Sequence, residues 1–253
     1  DPIGHILLKA TTQSGVDTSY VVTSEEHRTG GYIAILNQHG IPTHAIADMS
    51  VMQEITPGLV YRNRRLVRDA DMIVLDANLS PRTISSLLDL AKKYACPVCV
   101  DPTSAVLAPR FIPHLHDILL MTPNASEAEA LTGLDLGQTD AHNLAAALVG
   151  SGVEIAIITL AELGLYYVTS DESGRVPALR RDIVDLTGAG AALTAVRLVP
   201  ARFELFLLLL GSGLLLLVLL ATNEIEDVGM IHVEDDHLGR TPGLSSRLDH
   251  PGE

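Results

Sequence analysis

The segment from Asp185 to Gly190, Asp-Leu-Thr-Gly-Ala-Gly, is the part of the chain best suited to phosphate chemistry. It precedes an apolar stretch with helical spacing that contains Ala192, Leu193 and Ala195. Glycines at a helix start leave backbone N–H groups free, and the positive end of the helix dipole lies at the same place. Such a helix start can hold a phosphate or the charge that develops in phosphoryl transfer. An ordinary turn or packing role for the glycines is the alternative.

Polar residues directly follow four apolar runs in the middle of the chain. Because ligands of parallel α/β sheets bind beyond the carboxyl ends of the strands, these residues are the next candidates for a site. The four groups are Asp76–Asn78, Asp101–Pro102, Thr122–Asn124 and Thr159–Gly164.

The elements that must position these groups alternate between strand-like and helix-like patterns. A helix is expected at residues 5–14, and short β-type runs at Tyr20–Val22, Tyr32–Leu36 and His44–Ala47 predict a small antiparallel sheet. Further strands are expected at Met72–Leu75, Pro97–Val100, Ile118–Met121, Glu154–Thr159 and Leu165–Val168. This alternation predicts an α/β fold with a mostly parallel sheet covered by helices on both faces.

The helix starts carry recognisable signals. Ser80 followed by Pro81 predicts an N-cap, and Ile84, Leu87 and Leu88 then recur at helical spacing. Ser126 with Glu129 predicts a capping box for a helix that Gly133 ends, and another helix is expected at about 140–149. The basic stretch from Arg62 to Arg68 is interpreted as the solvated side of a helix, with an anion or partner patch as the alternative.

The composition excludes several classes of function. The 253 residues carry a formal net charge of −14, and no basic run provides a separate positive face, which argues against a nucleic-acid partner. The two cysteines, Cys96 and Cys99, have redox-like spacing but lie in an expected strand, so structural roles and a reducing, cytoplasmic location are expected. The first residues show no signal-peptide pattern.

Several motifs together resemble the PfkB family of ribokinase-like carbohydrate kinases. Asp185–Gly190 is similar to the family signature Asp-x-x-Gly-Ala-Gly-Asp, and Asn124–Glu127 to its Asn-x-x-Glu motif. Thr159–Gly164 resembles the nucleotide-site loop, and Gly15–Thr18 the phrase that leads into the substrate lid. The resemblance implies a three-layer ribokinase-like domain at about residues 1–200, with a small β-lid at about 18–50.

Finer features resemble the pseudouridine kinase branch of this family. They are Arg28–Tyr32, Ala45–Met49 with Ile55–Pro57, Asp76–Ser80 and Val100–Ser104. The resemblance implies ATP- and magnesium-dependent phosphorylation of the 5′-hydroxyl of pseudouridine or a related sugar or nucleoside. It also implies a possible homodimer formed through the lid.

The resemblance assigns roles to individual positions. Gly188, Ala189 and Gly190 would stabilise the transferring phosphoryl group, with Ala191 at the catalytic position. Asn124 and Glu127 would organise the metal and the phosphates, and Thr159, Gly164 and Thr187 would contact the nucleotide. Thr29 and Asp48 would lie near the sugar, although Asp48 also fits an ordinary turn at a strand end.

Three features depart from the family pattern. Ala191 replaces the catalytic aspartate, so impaired catalysis or a nucleotide-binding pseudokinase is expected. The chain begins inside the family's Gly-x-Asp-x-x-Gly segment, which predicts that the first strand and the Gly-Gly substrate loop are missing. Residues 201–222 are interpreted as apolar buried helices and 223–253 as an acidic tail, with a membrane anchor at 203–221 as the less favoured alternative.

Overall fold

The computed structural model describes residues 1–36 and 42–178. Their α-helices are α1 (Pro2–Gln13), α2 (Pro57–Arg62), α3 (Arg64–Asp69), α4 (Pro81–Tyr94), α5 (Ala125–Thr132) and α6 (Ala141–Gly150). Their strands are β1 (Gly31–Leu36), β2 (Pro42–Asp48), β3 (Ile73–Asp76), β4 (Val98–Asp101), β5 (Leu120–Met121), β6 (Ile155–Thr159), β7 (Leu165–Val168) and β8 (Ser173–Val176). Short 3-10 helices lie at Ser50–Glu54, Ala108–Asp117 and Ala161–Leu163.

The main sheet has the order β3-β4-β5-β6-β7-β8. Its first four strands are parallel, and β7 and β8 extend the sheet antiparallel. The apolar strand residues divide between a large core cluster, which includes Leu75, Val100 and Ile158, and a smaller one, which includes Val74 and Ile157. The mostly parallel α/β fold expected from the sequence is therefore confirmed.

A separate two-stranded sheet is formed by β1 and β2, which pair antiparallel with Ile33 opposite Ile46. The third expected β-run, Tyr20–Val22, is not a strand. The Val21 N–H donates to the carbonyl of Thr18 in a turn, so the local turn prevails over the β-propensity of the three residues. The small sheet therefore has two strands in the described part of the chain.

The helix starts follow the sequence signals with one correction. Ser80 caps α4 by accepting a hydrogen bond from the Thr83 N–H, as expected, and Ile84 and Leu88 are buried. The capping box of α5 is formed by Asn124 and Glu127, so the expected Ser126–Glu129 box is wrong. The basic stretch is divided between α2 and α3, which meet at Asn63.

No helix among residues 1–36 and 42–178 is long and apolar enough to cross a membrane. The predicted apolar segment at 201–222 and the predicted acidic tail at 223–253 lie outside the described residues.

Both cysteines are expected to resist alkylation in the folded protein. Cys99 is fully buried and Cys96 almost so, and burial raises their pKa values to about 12 and about 11. The reactive thiolate is therefore scarce at neutral pH. Iodoacetamide at pH 7.5 should label neither residue in the native protein and both in urea, as read by mass spectrometry. Rapid native labelling would support the redox motif that the spacing mimics.

Candidate active site

The carboxyl ends of β3 to β6 bring the polar groups identified in the sequence to one edge of the sheet. Asp76 and Asp101, the last residues of β3 and β4, are paired in register. Asn124, just beyond β5, forms a parallel bridge with Thr159 at the end of β6. The strand ends therefore create a continuous polar edge of the kind that binds ligands in open α/β sheets.

Asn124 and Glu127 hold each other at the start of α5. The Glu127 N–H donates to Asn124 Oδ1 at 3.0 Å. In return, the backbone N–H and the side-chain amide of Asn124 donate to the two carboxylate oxygens of Glu127 at 2.9 and 2.8 Å. Since a carboxylate offers about four lone-pair sites, Glu127 keeps capacity for a further ligand. The pair serves as a helix cap and also presents a fixed, buried carboxyl group.

Burial raises the pKa of the Glu127 carboxyl, and the charge of Asp101 raises it further. The pKa of Asp101 is also raised by burial. The side chain of Asp76 is 1% exposed, and burial raises its pKa to about 8, with a smaller contribution from Asp101. The charge of Asp101 thus opposes the ionisation of both Asp76 and Glu127 at this edge, an arrangement that a bound cation would relieve.

The carboxyl groups at this edge could hold magnesium if phosphate oxygens and water complete its coordination. No group of three His, Cys, Asp or Glu side chains in the described ranges could hold a metal alone. Mg²⁺, however, is commonly bound by one or two carboxylates together with substrate phosphates and water. Asp101 and Glu127 could supply the carboxylates, and the fit therefore requires a phosphate-bearing ligand.

Hydrogen bonds that involve Asn78, Thr103 and Arg110 hold the turn that follows β3. The backbone N–H and side-chain amide of Asn78 donate to Asp76, and the Ala77 N–H donates to Thr103 Oγ1. Arg110 donates to the carbonyls of Ala77 and Leu79 at 2.7 and 2.9 Å. The carboxyl end of this edge strand is therefore rigid.

The predicted nucleotide loop, Thr159–Gly164, is a tight turn closed by a hydrogen bond from the Leu160 N–H to the carbonyl of Gly164. Gly164 has φ +91°, and a Cβ there would clash with the carbonyl of Val176 in β8. Glycine is therefore required by the backbone, whatever the loop binds.

The predicted substrate residues, Thr29 and Asp48, lie at the root of the two-stranded sheet. Thr29 donates to the Asp1 carboxylate through its N–H at 2.8 Å and its hydroxyl at 3.1 Å, which ties the start of β1 to α1. Asp48 accepts from the Ser50 N–H, which together with the Ser50 side chain holds the pKa of this carboxyl below its ordinary value. The Asp48 carboxylate therefore stabilises the turn at the end of β2.

The sequence placed Asp76 and Asp101 among the candidate groups that follow apolar runs but assigned neither a role. Their burial, and the effect of the Asp101 charge on Asp76, were not visible in the sequence. The predicted positions Thr187, Gly188, Ala189, Gly190 and Ala191 lie outside the described residues.

Asp76→Asn is expected to flatten the dependence of stability on pH. The folded-state pKa of Asp76, about 8, lies above the value near 4 of an unfolded chain, so between these values the folded state binds more protons. The free energy of unfolding therefore falls as pH rises from 5 to 8, by at most about 1.4 kcal/mol per pH unit from this group.

Urea unfolding of the parent and Asp76→Asn at pH 5, 6, 7 and 8 would measure this effect. The variant should gain most over the parent at pH 8. Asp89→Asn, an exposed change on α4, serves as the matched control and should keep the parental slope. Equal slopes in all three proteins would show that Asp76 does not hold its proton.

Comparison with known proteins identifies the family. The pfkB family of carbohydrate kinases matches residues 1–199. This chain belongs to the PfkB family. It is 32% identical over 197 residues to the pseudouridine kinase of Escherichia coli K12, a match that covers 77% of this chain and 62% of that protein. The PfkB chain thus spans less than two thirds of this curated relative.

Solved structures agree with this assignment. A putative sugar kinase from Clostridium perfringens superposes with a TM-score of 0.63 at 28% identity, covering 77% of the PfkB chain and 61% of its own. A putative ribokinase II from E. coli, solved with ATP and Mg²⁺, gives a TM-score of 0.65 at 16% identity, covering 80% and 68%. The latter likeness concerns the fold alone. The ribokinase-like fold expected from the sequence is confirmed.

Proposed function

We propose that this PfkB chain binds ATP with magnesium and a ribosyl acceptor, pseudouridine or a related nucleoside or sugar, whose 5′-hydroxyl is the group phosphorylated. The observation that carries the proposal is the buried carboxyl group of Glu127, fixed by Asn124 and coupled to Asp101 at the carboxyl edge of the sheet. Such a site needs a cation to balance its charge, and magnesium held by only one or two carboxylates also needs phosphate oxygens as ligands. Magnesium with ATP supplies both.

Each residue has a defined part in this proposal. Glu127 and Asp101 would hold magnesium, and Asn124 would keep the Glu127 carboxylate oriented. When bound there, magnesium would supply positive charge that neutralises the charge developing in phosphoryl transfer. Gly188, Ala189 and Gly190 would donate backbone N–H groups to the transferring phosphoryl group, with Thr187 beside them.

The identity of the acceptor is supported by the relationship to pseudouridine kinase. In this proposal, the sheet of β1 and β2 would cover the acceptor, and Thr29, which binds Asp1 just before β1, would lie beside it. Thr159 and Gly164 belong to the turn proposed to contact the nucleotide. We also propose a cytoplasmic location, in keeping with ATP as the donor.

A second candidate is a pseudokinase that binds nucleotide or nucleoside without turnover. Ala191 favours it, because a methyl group cannot accept the proton of the attacking hydroxyl. The two candidates share the binding site and differ only in chemistry at position 191.

The lid is also proposed to form a homodimer. Ile33 and Ile46, which face each other across β1 and β2, are 68% and 69% exposed, and Ile35 is 56% exposed. Exposed apolar side chains on a two-stranded sheet favour association with a second copy. Light scattering should give twice the monomer mass for the parent chain and the monomer mass for Ile33→Thr with Ile46→Thr. A monomeric parent would contradict this.

Calorimetric titration of the unmodified chain with ATP tests both candidates at once. Heat of binding should be seen with magnesium and should be lost in EDTA, because without the cation the triphosphate faces three carboxyl groups. Equal affinity with and without magnesium would contradict the proposed site.

A further inference from the structure

The main sheet has two faces, and the described helices contribute apolar side chains to only one of them. Leu75, Val100 and Ile158 pack in one cluster with apolar side chains of α4, α5 and α6. Because successive side chains of a strand alternate, the neighbouring strand residues point to the opposite face. This second face consists of Met72, Val74, Cys99, Leu120 and Ile157.

The second face is buried although no described helix contributes an apolar side chain to it. Cys99 and Ile157 are 0% exposed, and Val74 is 2% exposed. The described apolar side chains that pack against this face come from the strands themselves or from a position beside them: Leu119, Ile155, Leu165 and Tyr167. Strand residues lose their exposure this completely when another layer covers the sheet. The residues outside 1–36 and 42–178 are then the source of such a layer within this chain.

Among those residues, the stretch Phe203–Ala221 has the composition that such a layer needs. It contains a single charged residue, Glu204, and is otherwise almost wholly apolar. Residues 37–41 form a short and largely polar sequence, and residues 179–202 carry charged side chains on both sides of the Gly-Ala-Gly segment. Burial against an apolar sheet face therefore suits Phe203–Ala221 best.

The length of this stretch matches the second face if it is divided at Gly211-Ser212-Gly213, where two glycines disfavour an unbroken helix. The halves, 203–210 and 214–221, would each be about 12 Å long as helices, close to the roughly 13 Å of a four-residue strand such as β3. Two helices about 8–10 Å apart cover the roughly 14 Å from β3 to β6. An unbroken helix of about 28 Å would instead match a membrane.

We propose that Phe203–Ala221 forms the layer that covers the second face of the main sheet, as two apolar halves packed side by side on β3 to β6. This assignment replaces the membrane anchor as the role of the stretch. It also ties the chain that follows the Gly-Ala-Gly segment to the sheet that ends in Asp76 and Asp101. The inference is independent of the proposed kinase function.

Photo-crosslinking in the full chain tests this inference. Benzoylphenylalanine in place of Leu207 or Leu216 exchanges one apolar side chain for another and inserts into nearby C–H bonds when illuminated. After illumination of intact cells, mass spectrometry should find crosslinks to the strand peptides that contain Val74, Cys99 or Ile157. Crosslinks to lipid, to another protein or to the helices of the opposite face would overturn the inference, as would the absence of any crosslink within the chain.

The two cysteines give an independent readout, because they lie in different clusters. Cys99 belongs to the second face, whereas Cys96 packs in the larger cluster with the described helices. Leu208→Lys with Leu217→Lys places two charges in the covering stretch and should loosen it, because burial of unpaired charges is costly. Iodoacetamide should then label Cys99 at least about tenfold faster than in the parent chain and leave Cys96 protected.

Ile6→Lys with Val106→Lys is the matched control, since it adds the same charges at exposed apolar positions and should leave both cysteines protected. Unchanged protection of Cys99 in the Leu208→Lys, Leu217→Lys variant would overturn the inference. If both cysteines are labelled equally fast, this variant is unfolded. The crosslinks from Leu207 and Leu216, which need no added charge, then decide alone.

Discussion

Replacement of Ala191 by Asp is expected to raise the rate of ATP-dependent phosphorylation of pseudouridine by about 10²–10⁴-fold. Position 191 follows the Gly-Ala-Gly segment, where the signature that this segment resembles has its aspartate. A carboxylate there can accept the proton of the 5′-hydroxyl as it attacks the γ-phosphoryl group, which a methyl group cannot do. Coupled ATP-consumption assays on both proteins would measure the gain.

Ala192→Asp is the matched control for this prediction. It adds the same charge one residue further along the chain and should leave the rate at the parental level. If Ala191→Asp and Ala192→Asp both bind ATP with magnesium but neither phosphorylates pseudouridine, the pseudokinase hypothesis replaces the kinase hypothesis. An active parent chain would show that another group serves as the base.

Glu127→Gln is expected to lower the magnesium-dependent rate by on the order of 10²-fold when it is introduced beside Ala191→Asp. The amide keeps the size of the side chain but removes the negative charge that would bind the cation. The concentration of magnesium required for half-maximal rate should rise as well. Initial rates over a magnesium titration would measure both effects.

The control for this second prediction is Glu154→Gln, an exposed change just before β6, at the opposite end of that strand from Thr159. It should preserve both the rate and the magnesium requirement. Thermal unfolding must show that Glu127→Gln is folded, because Glu127 also caps α5. A folded Glu127→Gln with an unchanged magnesium profile would exclude the metal role.

The sequence predicted the main sheet well for a physical reason. Val74, Val100 and Ile157 lie in apolar runs that are too short for a helix and are bounded by turn residues, which favours strands covered on both faces. Because these strands were predicted, their carboxyl ends were predicted as well, including the edge at which Asn124 and Thr159 meet.

The capping box of α5 could not be chosen from the sequence. Asn124 with Glu127 and Ser126 with Glu129 both fit the three-residue spacing, and both precede the same apolar residues. The choice is made by the chain leaving β5, which holds Asn124 extended at φ −77° and ψ 176° and places Ser126 inside the first turn. A cap depends on backbone conformation, which the spacing does not contain.

The carboxyl groups of the candidate site were only partly predictable. Glu127 was found through its motif, whereas the importance of Asp76 and Asp101 comes from their register in neighbouring strands and from their burial. The hydrogen bond between His27 and Glu54 was not foreseen either, because it joins segments 27 residues apart through a tertiary contact. Sequence patterns report local periodicity, and these pairs are set by the packing of distant segments.

A crystal structure of the unmodified chain with Mn²⁺ and a non-hydrolysable ATP analogue tests the central claim most directly. The anomalous signal of Mn²⁺ is expected at the carboxyl ends of β4 and β5, with Asp101 and Glu127 as the nearest protein carboxylates and the phosphates of the analogue beside it. Metal and phosphates bound elsewhere, or bound without contact to either carboxylate, would contradict the proposed kinase site.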